Sequence, residues 1–109
     1  YNCILTPSEY DSHFEHILVS GLGPPLVRSH GCGIIQYKSP STLDTWIPNL
    51  FVSIDDFLNT KKEMLLEFSS QLHRPYFNNN TLNGFHTHFQ CMKKQKGYVE
   101  MFKIITTYE

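Results

Sequence analysis

This chain of 109 residues predicts an α+β fold, on three observations. Ile54, Phe57, Leu58, Met64, Leu65, Phe68 and Leu72 recur mostly at three- and four-residue steps, as on one face of a long central helix. The closing stretch, residues 84–108, alternates in polarity on either side of Lys94-Gln95-Lys96-Gly97, which reads as a β-hairpin. The whole then orders as helix, strand, loop, long helix and paired strands. That order makes an antiparallel sheet ending in a long C-terminal β-hairpin, packed against a long central helix and a shorter N-terminal helix.

Taken in order, residues 1–5 form a short strand. Tyr10, Phe14, Ile17 and Leu18 set an amphipathic helix over residues 8–20, and Gly21-Leu22-Gly23-Pro24-Pro25 stops it, the two prolines imposing extended or turn geometry. Residues 33–37, Gly-Ile-Ile-Gln-Tyr, form a strand. Pro48 demotes residues 45–52 to an edge strand or an irregular packed segment. The long helix spans residues 53–73, with Ser53 and Asp56 as an acidic capping pair and Pro75 ending it. Tyr76-Phe77 starts a strand, and Asn78-Asn79-Asn80 makes a turn.

In the hairpin, a three-residue loop with left-handed Gly97 sets Cys91 opposite Met101 and Thr87 opposite Ile105. Phe85, Phe89, Cys91, Val99, Met101 and Ile105 then share a core face. His86, His88, Gln90, Glu100, Phe102 and Ile104 share the other, which is too apolar to face only water.

The length and an apolar fraction of 40% suit one domain, and a start at Tyr1 suggests one excised from a larger protein. Nine basic against ten acidic residues give a net charge of −1, which argues against a nucleic-acid binder. Lys93, Lys94 and Lys96 at the hairpin tip read as solubilising. No apolar run reaches membrane-span length. Three cysteines without framework spacing point to an intracellular setting, cytoplasmic or nuclear.

Four constellations carry possible chemistry. His86-Thr87-His88 on a strand points both imidazoles one way, about 7 Å apart at Cα, a spacing that suits zinc, although a third ligand is missing. His13 and His16 stand one helical turn apart, on a solvated flank. His30-Gly31-Cys32-Gly33 has the look of a nucleophile loop but is explained by a tight turn. Asp55-Asp56 complements a helix N-terminus.

The ending FHTHFQCMKKQKGYVEMFKII resembles the last strands of PAS-type sensor folds. That resemblance implies a small-molecule-binding sensory domain. The residues themselves favour a non-catalytic protein–protein interaction or dimerisation domain, binding another protein or a second copy through Tyr98, Phe102, Ile104, His86 and His88. The third alternative is a zinc site, structural or hydrolytic, at His86 and His88.

Overall fold

The computed structural model describes residues 2–87 and 97–106. It is α+β, with four helices, short 3₁₀ turns and a four-stranded mixed sheet among those residues. The elements are β1 (Cys3–Thr6), α1 (Phe14–Ser20), α2 (Gly23–His30), β2 (Gly33–Tyr37), β3 (Leu50–Ser53), α3 (Leu58–Leu66), α4 (Asn79–Thr87) and β4 (Val99–Thr106). The strand order is β1-β2-β4-β3. The chain divides into two compact units, residues 1–51 with 101–109, and residues 52–100.

The expected antiparallel sheet is corrected to a mixed one. β1 and β2 run parallel, Cys3 opposite Gly33 through Thr6 opposite Gln36. A parallel pair requires a crossover, and α1 and α2 provide it. β2 and β4 are antiparallel, with Tyr37 opposite Phe102 and Ile35 opposite Ile104. The register slips between Ile34 and Ile35, so Ile105 is an extra residue on β4. Val99 and Met101 are buried as alternation predicts, whereas Ile105, just past the regular register, is exposed.

The prolines act differently from expectation. Pro24 and Pro25 occupy the first positions of α2, where a missing N–H removes no internal bond. They also have no amide to return to Ser20 and Gly21, which ends α1 there. Gly21 and Leu22 keep helical dihedrals between the two helices. Gly31 closes α2 at φ 64°, its amide donating to Val27 O at 2.8 Å. Val27, Cys32 and Ile34 form the buried cluster of the first unit, with Ile4 packed against it. Nearby, Trp46 is buried and its Nε1–H donates to Gln36 Oε1 at 3.0 Å.

In the second unit the long helix is corrected to three pieces. A 3₁₀ turn at Asp55–Phe57 leads into α3, and another 3₁₀ turn at Ser69–Gln71 follows. Of α3 only Leu58 is buried, because Lys61, Lys62 and Glu63 interrupt the apolar spacing before Met64. Asp55 caps the returning chain, its carboxylate accepting the Tyr98 N–H rather than an amide of its own 3₁₀ turn. Tyr76-Phe77 belongs to a 3₁₀ turn and not to a strand. Asn78 accepts the Asn80 N–H at 2.8 Å and so starts α4.

Residues 84–87 are therefore helical, and they correct the first arm of the expected hairpin. Phe89, Gln90, Cys91, the lysine tip and His88 lie outside the described residues. Gly97 has the positive φ expected of it, 84°.

Candidate functional site

Three features of the described residues bear on function, two polar and one apolar. The first is a cluster that the sequence reading passed over. Asp11 is 4% exposed, and its carboxylate accepts the His13 N–H at 2.8 Å and the Ser39 hydroxyl at 3.0 Å. His16 Nδ1 lies 3.0 Å from the same carboxylate and 3.2 Å from Ser41 Oγ. Thr42 Oγ1 accepts the Ser39 N–H at 2.8 Å.

Burial alone pushes the Asp11 carboxyl up. Hydrogen bonds from Ser41, the His13 amide, His16 and Ser39 outweigh it and hold its pKa below 3.8. These groups share the residue types of a hydrolytic triad but not its geometry. A triad sets one imidazole nitrogen on the acid and the other on the hydroxyl. Here a single nitrogen, Nδ1, faces both. The cluster works as a lock, pinning residues 39–43 to residues 10–12 through Ser12 N–H to Ser41 O and Leu43 N–H to Tyr10 O. The Ser39-Pro40-Ser41-Thr42 turn and the Asp11-x-His13 cap were the signals available in sequence.

His13 stands at the head of α1, its Nδ1 accepting the Glu15 N–H at 3.2 Å and its ring stacked on His16 at 4.6 Å. The His30–Cys32 loop is resolved physically. Cys32 is buried in the core cluster, and His30 Nδ1 lies 3.2 Å from Leu26 O instead of beside the sulfur.

The second feature is His86. It sits on α4 and not on the expected strand, and His88, the other histidine of the expected zinc pair, lies outside the described residues. The ring is 1% exposed, its Nδ1 lies 3.0 Å from Val99 O, and its Nε2 is buried with no hydrogen-bond partner among the described residues. Lys62 Nζ donates to Asn83 Oδ1 at 2.7 Å, and Lys61 pairs with Glu100. Among the described residues no group of three or more His, Cys, Asp or Glu is placed to hold a metal ion. No helix among them is long and apolar enough to cross a membrane.

The third feature is apolar. α1 buries none of its residues, and Phe14 is 70% and Leu18 56% exposed. Leu22 and Leu26 continue the exposed series at four-residue steps, with Ile17 and Val19 beside them. Next to it, Pro24, Pro25, Arg28 and Ser29 line an open hollow of about 580 Å³. Of the residues expected to touch a partner, Ile104 is exposed, and Phe102 and Tyr98 are half-buried. No family model matches this chain, and neither does any curated protein.

Proposed function

We propose that this chain is a non-catalytic interaction domain, and that a second copy docks on the apolar surface of α1 and α2. The observation that carries the reading is the Phe14, Leu18, Leu22, Leu26 series, large side chains exposed at four-residue steps. Single exposed apolar residues are ordinary, but a run of large ones at this spacing marks a surface that is covered in use. A net charge of −1 leaves two copies with little mutual repulsion. In a two-fold arrangement the acidic Glu15 of α1 can meet the basic Arg28 of α2 twice over.

An intracellular setting belongs to the same reading. It is supported by Cys3 and Cys32, both free thiols, the first of them exposed.

Native mass spectrometry and sedimentation of the purified chain test the proposal. The expected result is a dimer that Phe14→Asp converts to monomer, with the far-ultraviolet spectrum and melting temperature unchanged. A monomeric parent chain, or a Phe14→Asp variant that stays dimeric, overturns it.

A further inference from the structure

We propose that His86 is an acid-sensitive latch, holding α4 to the start of β4 at neutral pH and releasing it as the imidazole takes up a second proton. The proposal does not depend on the docking surface. A carbonyl oxygen only accepts, so the short contact to Val99 O means that His86 Nδ1 carries the ring proton. Nε2 is then a bare acceptor, buried and facing no donor among the described residues. The Phe85 ring stands edge-on to the imidazole at 5.2 Å.

A second proton on Nε2 would place a buried N–H without an acceptor, and a full positive charge, where the neutral ring now packs. Among the described residues, the charged groups around it come from two elements. Lys61 and Lys62 of α3 oppose the added charge, and Glu100 of β4 favours it. Lys61 and Glu100 are themselves paired, which blunts the attraction.

Burial first, then Lys61, hold the His86 pKa below its ordinary 6.5, with Lys62 adding to that. The Val99 carbonyl and Glu100 act in the other direction. With α4 released, the ring regains its ordinary value and binds a proton that the packed state refuses. The packing contribution of this group is therefore complete above about pH 6.5, and it is lost as pH falls below that value toward the lower packed-state pKa. One proton taken up on opening raises the opening equilibrium by up to about tenfold per pH unit in that window.

The test is hydrogen exchange by nuclear magnetic resonance on the whole chain at pH 7.5, 6.5 and 5.5, corrected for the intrinsic pH dependence of exchange. Alongside it, the His86 ring proton is titrated in native and in denaturing buffer. The expected result is an opening of the α4 amides that rises from pH 7.5 to 5.5, by up to about tenfold. His86→Phe, which keeps an aromatic ring and removes the titration, is expected to abolish that rise. A flat α4 response in the parent chain overturns the latch, as does a rise that persists in His86→Phe. If His86→Phe does not fold, the ring titration decides: a native midpoint below the denatured one supports the latch, and equal midpoints overturn it.

Discussion

Asp11 in the first unit and His86 in the second are both buried ionisable side chains, yet they are provided for in opposite ways. The Asp11 carboxylate is met by an amide, a hydroxyl and an imidazole. Among the described residues the His86 ring has one hydrogen-bond partner and one orphaned nitrogen. A charge surrounded by donors stays charged in the interior, and a ring with an empty acceptor stays neutral. Both pKa values are lowered, but the cause differs: surplus hydrogen bonding for Asp11, and burial for His86. Polar saturation makes a lock, and polar deficit leaves a place where packing can be undone.

The largest effect expected from breaking this contrast is at Asp11. Asp11→Ala leaves the Ser39 hydroxyl and the His13 amide without their acceptor, and should destabilise the first unit by about 3 kcal/mol in denaturant titrations. Because the folded carboxyl lies below 3.8, its contribution is present above that value and disappears as pH falls through the lower folded one. Acid should thus loosen α4 first and the Asp11 cluster later. Amide exchange resolved by residue reads that order, and simultaneous loosening would erase the distinction between the two sites.

Next is Gly97 in the second unit. A Cβ there would lie 2.1 Å from the Asp55 carboxylate oxygens, at a φ of 84° that side chains avoid. Gly97→Ala must displace the carboxylate that accepts the Tyr98 amide, for an expected loss of about 2 kcal/mol in thermal or chemical denaturation.

The smallest is Lys61→Ala. Its pair with Glu100 is about a third exposed on both sides, so the loss expected is about 0.5 kcal/mol or less, diminishing with added salt. Removing the cation should also ease protonation of the packed His86 ring, narrowing the pH window and reducing the acid-driven opening of α4, which the same exchange profile reads.

Several of the expected elements were legible because their signals are local, the opening strand among them, which is β1. The strand at residues 33–37 follows from a short apolar run between Gly33 and a turn, and it is β2. The alternation that buries Val99 and Met101 follows from the two-residue period of a strand. The helix at residues 8–20 was legible only in part, since Asp11 and His13 form its cap and leave Phe14–Ser20 helical. Residues 84–87 were misread because Gly84, Phe85 and Thr87 suit a strand by composition, while the Asn78 cap upstream starts a helix.

By itself the amino-acid sequence determined the α+β class, the β2 strand, the helical tendency after Ser53 and the positive φ of Gly97. Each of these rests on residues within a turn or two of one another. The tertiary structure alone decided that β1 and β2 run parallel, that Ser39 meets Asp11, and that His86 turns inward onto Val99. Such pairings join residues far apart along the chain, and no local period or cap encodes which distant partner a strand or a polar group will find.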